Sequence, residues 1–224
     1  MADKVIDTNS ITIVGKILSE KEFSHEMYGE GFYSFDLEVP RLSDYSDVLP
    51  ITISERLLVN MDLKPGVNVV VEGQLRSYNR YVNGSNKLVL TVFARDARVP
   101  ETEDELTELL KRPNEIYLDG YICKAPVYRT TPFGREITDL LVAVNRPYNK
   151  SDYIPCIAWG RNARFCEKLQ IGDHIRLWGR IQSREYQKRT GEGEVLNKVA
   201  FEVSISKLEF VREDNNREAK KQDL

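Results

Sequence analysis

Between His174 and Tyr186 the chain alternates two kinds of residue. Ile175, Leu177, Gly179 and Ile181 suit an apolar interior, while His174, Arg176, Trp178, Arg180, Gln182, Arg184 and Tyr186 fall on the opposite side. Residues two apart on a strand project from one face, so this second set predicts one continuous strip. Its chemistry is specific. Guanidinium groups suit phosphates and can lie flat on bases, and Trp and Tyr rings offer faces on which unpaired bases stack, at roughly 1–3 kcal/mol per base. Lys188 and Arg189 extend the strip into the tip of a hairpin, 188–194. A second group lies just upstream. Tyr153 and Trp159 share a strand face with Pro155 and Ile157 between them, and Gly160 then turns the chain into an arginine-bearing helix, 161–168, that starts at Arg161. Ile154, Cys156 and Ala158 on the other face are apolar too, so periodicity leaves open which side is core. Tyr148 follows Asn145-Arg146-Pro147 at a strand end. The plain alternative for these rings is burial against a neighbouring subunit, with solvated arginines around them.

No catalytic set accompanies these residues. The chain has two histidines, His25 and His174, and no HxxxH or CxxC pattern. Asp152, Asp139 and Glu136 could form a carboxylate pair for metal-dependent hydrolysis, but solvated loop and strand-end charges account for them. The expectation is a binding protein, not an enzyme, with no metal or cofactor. Cys123, Cys156 and Cys166 are odd in number and lack metal-ligand spacing, which predicts reduced, mostly buried thiols and a cytoplasmic location.

A protein of 224 residues with 41% hydrophobic and 30% charged residues has an ordinary globular composition. Its apolar runs fall far short of the roughly 20 residues that a membrane span needs, and the N-terminus carries no apolar signal region. The net charge of −3 conceals an asymmetry: residues 1–100 hold 11 Lys+Arg against 14 Asp+Glu, whereas 114–211 hold 15 against 12. A phosphate backbone senses the local patch within a Debye length of about 10 Å, so the basic second half matters more than the total.

The elements that position these residues occur twice. Asn9-Ser-Ile-Thr-Ile-Val-Gly-Lys-Ile17 answers to Asn114-Glu-Ile-Tyr-Leu-Asp-Gly-Tyr-Ile122, and Val39-Pro-Arg41 to Val144-Asn-Arg146. Asp47 to Pro50 answers to Asp152 to Pro155, and Val71-Glu-Gly73 to Leu177-Trp-Gly179, at an offset that stays at 105 to 106 residues. Such constancy marks a tandem duplication. Each copy reads as three strands, a short helix and a long two-stranded ribbon. In the first copy these are 11–18, 33–39 and 49–53, a helix at 55–61, then 67–78 and 87–98 with Asn83-Gly84 as hairpin turn; residues 28–31 read as a loop. That order predicts an all-β protein of two tandem five-stranded OB-fold Greek-key barrels, each with one short helix. The expected division is a first domain at 1–100, an acidic linker at 101–113 with helical spacing of Leu106, Leu109 and Leu110, a second domain at 114–211, and a disordered tail at 212–224.

The copies differ in chemistry. At the repeat offset Trp178 becomes Glu72, Arg176 becomes Val70, Arg180 becomes Gln74, Tyr153 becomes Val48, Trp159 becomes Ser54 and Tyr148 becomes Ser43. Arg41, Arg76, Tyr78, Arg80 and Tyr81 remain as weaker candidates. A carboxylate at the centre of the strip repels phosphate, so the first copy should bind weakly or differently.

Four blocks of the second copy resemble the bacterial single-stranded-DNA-binding proteins: Asp119-Gly120, Leu141-Val-Ala-Val-Asn-Arg146, Asp152-Tyr-Ile-Pro-Cys-Ile-Ala-Trp-Gly160 and Trp178-Gly-Arg-Ile-Gln-Ser-Arg-Glu-Tyr186. The resemblance covers nearly all of 114–211, with the first copy as a diverged member. It implies an OB fold that binds single-stranded DNA with little sequence preference in replication, recombination or repair, stacking bases on Tyr148, Tyr153, Trp159 and Tyr186. It also implies four barrels per assembly, hence a homodimer of this chain. The family's acidic, aromatic-capped tail is missing: this chain ends Lys-Lys-Gln-Asp-Leu224, which argues against recruitment of replication proteins through it. The competing expectation is an OB-fold interaction module within a replication or phage complex, without strong DNA binding of its own.

Overall fold

The computed structural model describes residues 8–59, 61–82, 84–189 and 195–212. The first barrel is built from β1 (Asn9–Ile17), β2 (Glu22–Met27), β3 (Glu30–Pro40), β4 (Ser46–Ser54), α1 (Glu55–Leu58), β5 (Asn68–Val82) and β6 (Ser85–Arg98). Helix α2 (Glu103–Leu109) follows, and the second barrel comprises β7 (Asn114–Thr130), β8 (Glu136–Arg146), β9 (Lys150–Trp159), α3 (Arg161–Cys166), β10 (His174–Arg189) and β11 (Val195–Phe210). The parallel pairs β4–β6 and β9–β11 supply the Greek-key contact, with Ile51 opposite Val92 in one barrel and Cys156 opposite Val203 in the other. The OB-fold order read from the repeat is therefore the observed one.

One strand has no counterpart in the order expected from the repeat. Residues 22–27 form β2, paired with β3 across the turn at Tyr28 and Gly29, both at positive φ. All six β2 residues are exposed, so no buried alternation marked it. In the second barrel β7 runs the whole path as one bulged strand; in the first, the chain breaks at residues 18–21 into β1 and β2. The helices are shorter than expected, at 55–58 and 161–166, and the ribbon β5–β6 pairs out to Val82 opposite Ser85. Of the turn expected there, Gly84 has φ +75, and Asn83 lies outside the described residues, as do 190–194 and 213–224.

Both interiors follow the predicted alternation. Ile13, Leu37, Leu49, Ile51, Val71 and Val92 fill the first, and Leu118, Val142, Ile154, Leu177 and Val203 the second, all fully buried. Where the ribbons bend, backbones touch: a Cβ on Gly73 would lie 2.1 Å from the Phe93 carbonyl oxygen, and on Gly179 2.2 Å from that of Ser204. Only glycine fits there, which explains why both copies keep it.

The barrels are joined edge to edge. β1 and β7 pair antiparallel about Ile11 opposite Ile116, which are repeat equivalents, so a pseudo-two-fold axis passes between them. The pairing turns two barrels into one eleven-stranded sheet. Two carboxylates bolt this junction reciprocally. Asp47 of the first barrel accepts hydrogen bonds from Ser183 N (2.7 Å) and Oγ (3.1 Å) of the second. Asp152 of the second accepts one from Ser77 N of the first (2.7 Å). Each is at most 1% exposed, and burial of a charge demands such pairing.

Candidate nucleic-acid interface

The structure resolves the parity of β9. Ile154, Cys156 and Ala158 belong to the core, while Tyr153 (47% exposed) and Trp159 (37%) stand on the outer face. Pro155 and Ile157 form the floor between them. Trp159 is opposite Ile137 of β8, and its indole N–H donates to Ser204 Oγ of β11 at 3.3 Å. The outer face then continues across β11 to β10, where Gln182 lies opposite Glu202 and donates to it at 2.9 Å. Arg184 stands over the Tyr186 ring at 5.7 Å, and both side chains are substantially exposed. Tyr153, Trp159, Arg184 and Tyr186 therefore share one curved surface on β9, β11 and β10. Arg129 and Asp139, paired at 2.7 Å, sit on its β7–β8 flank.

Two further residues border this surface. Tyr148 occupies the β8–β9 turn at φ +62, with its ring 94% exposed. Arg161 opens α3 beyond Gly160 and is exposed. The side chains of Lys188 and Arg189 lie outside the described residues, although both belong to β10.

The strip on β10 divides at Gly179. Its first half packs along β7, with the Arg176 side chain still 40% exposed. Tyr121 stacks on His174 (4.5 Å between ring centres), Asp119 binds His174 at 2.5 Å and Arg176 at 2.9 Å, and Tyr117 packs on Trp178 at 5.2 Å. Lys207 lies over the other side of the Trp178 ring at 4.3 Å. The strand coils around a closed barrel and bends at Gly179, so residues on one side of it face different neighbours above and below the bend. Burial pushes the Asp119 carboxyl up, but the bonds from His174 and Arg176 outweigh that and hold it below the usual carboxylate value.

Several arginines serve the junction. Arg41 binds Asp47 through two nitrogens at 2.8 and 2.6 Å and reaches the Ser183 carbonyl across the interface at 3.2 Å. Arg180 approaches the same Asp47 at 3.5 Å. Around Asp152 stand Arg76 at 3.0 Å and Arg146 at 3.3 Å. Burial lowers the pKa of Arg180 and of Arg76, and a neighbouring guanidinium, Arg41 or Arg146, adds to each shift. In the first barrel Tyr78 and Tyr81 are exposed on the ribbon with Arg80. The carboxylates Asp139, Glu136 and Asp152 are each engaged by arginine: Asp139 by Arg129, Glu136 by Arg164 and Asp152 by Arg76 and Arg146.

Alignment of the repeats missed a ring cluster in the first barrel. His25 of β2 stacks on Phe32 at 4.9 Å, Phe32 meets Phe93 at 5.5 Å, and Phe23 meets Tyr33 edge-on at 5.8 Å. The signal was available in Phe23 and His25, two apart just before the Tyr28-Gly29 turn. At the repeat offset stand Tyr128 and Thr130, so the second copy keeps a ring only at the Phe23 position.

Comparison with known proteins follows this division. A family model described as the single-strand binding protein family matches residues 113–211. Over 85 residues the chain is 34% identical to single-stranded DNA-binding protein 1 of Staphylococcus aureus (strain COL), covering 35% of this chain and 51% of that protein. It is 31% identical over 103 residues to single-stranded DNA-binding protein A of Bacillus subtilis (strain 168), covering 43% and 61%. The chain thus spans about half to three-fifths of the length of these curated relatives. The fold is similar over both barrels to the crystal structure of the single-stranded DNA binding protein from Thermus aquaticus, with TM-score 0.71, 19% identity and coverage of 92% of this chain and 93% of that one. Residues 113–211 are thus similar to the single-strand binding protein family, within a chain of tandem OB folds.

Proposed function

We propose that the protein binds single-stranded DNA with little sequence preference, chiefly through the outer face of the second barrel, and so protects exposed strands during replication, recombination or repair. The observation that carries this reading is the exposed row of Tyr153 and Trp159 on β9, continued by Arg184 and Tyr186 on β10 and bordered by Tyr148 and Arg161. Stacking rings take any base, and guanidinium groups take the phosphates. Trp178, Arg176, Arg180 and Arg146 support this face from behind: they hold β10 to β7 and one barrel to the other. The protein acts by binding without catalysis, in the cytoplasm, as two barrel domains at 1–100 and 114–211 joined by 101–113.

We further propose a homodimer presenting four barrels, motivated by the tandem duplication. Light scattering at micromolar concentration reads the mass directly, and a monomer would remove this part. For the DNA reading, oligo-dT is titrated while intrinsic fluorescence is followed. Both tryptophans lie in the second barrel, so stacking on Trp159 quenches the signal. Affinity should fall with salt at about −0.7 in log K per log salt for each neutralised phosphate. Absence of salt-sensitive binding, with a stable complex to another protein instead, would favour an interaction module.

A further inference from the structure

Residues of the β2–β3 hairpin and of the β5–β6 ribbon line a groove of about 1000 Å³ in the first barrel. That volume is at the top of the ~300–1,000 Å³ range of small-molecule sites. The groove's chemistry is divided along its length. Phe23 and His25 line it from β2 and Phe93 from β6; Arg76, Tyr78 and Arg80 line it from β5. Arg146 of the second barrel also lines it, held there by Asp152. Glu20, Glu22 and Asp36 lie on the hairpin side. Two guanidinium groups, Arg76 and Arg146, share the single carboxylate of Asp152, which leaves excess positive charge at that end.

From this arrangement we infer that the first barrel carries its own single-strand site, built from Phe23, His25, Tyr78 and Phe93 with Arg80 and the cross-barrel Arg146, in place of the stacking positions it has lost. The inference rests on the single-strand reading of the second barrel and extends it. Phosphates run along the arginine wall, away from the carboxylates opposite, and bases turn toward the rings. Phe23 is 62% exposed and Tyr78 51%, so neither ring is consumed by the core. Arg80 is exposed and has no ion pair among the described residues. Because Arg146 comes from the other barrel, the site is complete only when the barrels are docked.

The positions of Trp159 and Trp178 separate the two sites experimentally, since indole quenching reports the second barrel alone. Full-length wild type and a Phe23→Ala/His25→Ala variant are titrated with fluorescein-labelled dT oligomers by anisotropy and with unlabelled oligomers by tryptophan quenching. Given ~4–16 nucleotides per OB fold, oligomers of about 8 and about 32 nucleotides serve as short and long probes. The variant should lose about tenfold or more in affinity for the long probe while quenching by the short probe stays within about twofold. Arg80→Glu, a surface change, should act in the same direction and decides the matter if the double variant melts early. Unchanged long-probe affinity in Arg80→Glu and in a stably folded double variant overturns the groove while the second-barrel reading stands. Equal loss of both signals in a stably folded variant also overturns it as a separate site. Wild type that shows neither quench nor anisotropy change removes the single-strand reading and this inference with it.

Discussion

Replacing Asp47 by alanine should be among the most destabilising single changes at the junction. The carboxylate is 1% exposed and accepts from Ser183 N, Ser183 Oγ and two nitrogens of Arg41, with Arg180 at 3.5 Å. Its removal leaves the half-buried Ser183 N–H without that acceptor, costing about 1–3 kcal/mol. It also leaves two guanidinium groups without their counter-charge. Removing one partner of a fully buried ion pair costs about 3–5 kcal/mol. The Arg41 and Arg180 side chains are 28% and 38% exposed, so water recovers part of that. The expected loss is therefore about 3 kcal/mol, near the lower end. Asp47→Asn keeps an acceptor for Ser183 N and should lose about half as much, since hydrogen bonds to neutral groups are the weaker kind. Urea unfolding reads both changes as shifts of midpoint. A double-mutant cycle with Arg41→Ala should return a coupling of about 1–3 kcal/mol. A loss below about 0.5 kcal/mol for Asp47→Ala, as for an ordinary surface substitution, would refute the argument that buried charge holds the barrels together.

The tryptophans should behave oppositely. Trp159→Ala should weaken oligo-dT binding by about 5- to 100-fold with little change in stability, whereas Trp178→Ala, which loses Tyr117 and Lys207 as neighbours, should lower the melting temperature more than the affinity; the reverse pattern would exchange their roles. Arg184→Glu should weaken binding and flatten its salt dependence, measured by anisotropy at several ionic strengths, and an unchanged slope would take Arg184 off the phosphate path. Asp119 contributes stability that is fully present above its ordinary pKa of 3.8 and is lost as pH falls through its lower folded value. The melting-temperature gap between wild type and Asp119→Asn should therefore close as the solution is acidified below that point, and a gap independent of pH would contradict the bonding to His174 and Arg176. Burial pushes the Cys166 thiol up to about 12 and that of Cys156 higher still. In native protein at neutral pH the half-exposed Cys123 should react first with a thiol reagent, although burial raises its pKa too; comparable labelling of the other two would show that the core opens readily.

Much of this protein is written in local order. The repeat of Asn9–Ile17 in Asn114–Ile122, the kept glycines at 73 and 179 and the apolar alternation of the core strands specify two OB barrels, because barrel closure imposes those requirements on every copy. The chemistry of the second barrel was legible for the same reason: Tyr153, Trp159 and Tyr186 occupy alternating strand positions whose outward direction follows once the core side is known. That core side was the first thing only tertiary structure decided. The strand Tyr153-Ile-Pro-Cys-Ile-Ala-Trp159 is apolar on both faces, and only the packing of Ile154, Cys156 and Ala158 against their neighbours breaks the tie. The second was the fate of the arginines. Sequence places Arg41, Arg146 and Arg180 near rings; in the fold Arg41 and Arg146 turn to Asp47 and Asp152 on the next strand of their own barrels, and Arg180 reaches Asp47 of the other barrel. An ion pair spanning 133 residues leaves no periodic trace in the chain. The ring cluster over the first barrel was hidden for a related reason: β2 is exposed along its whole length, so its place is set by pairing with β3, a property of the folded sheet and not of its own six residues.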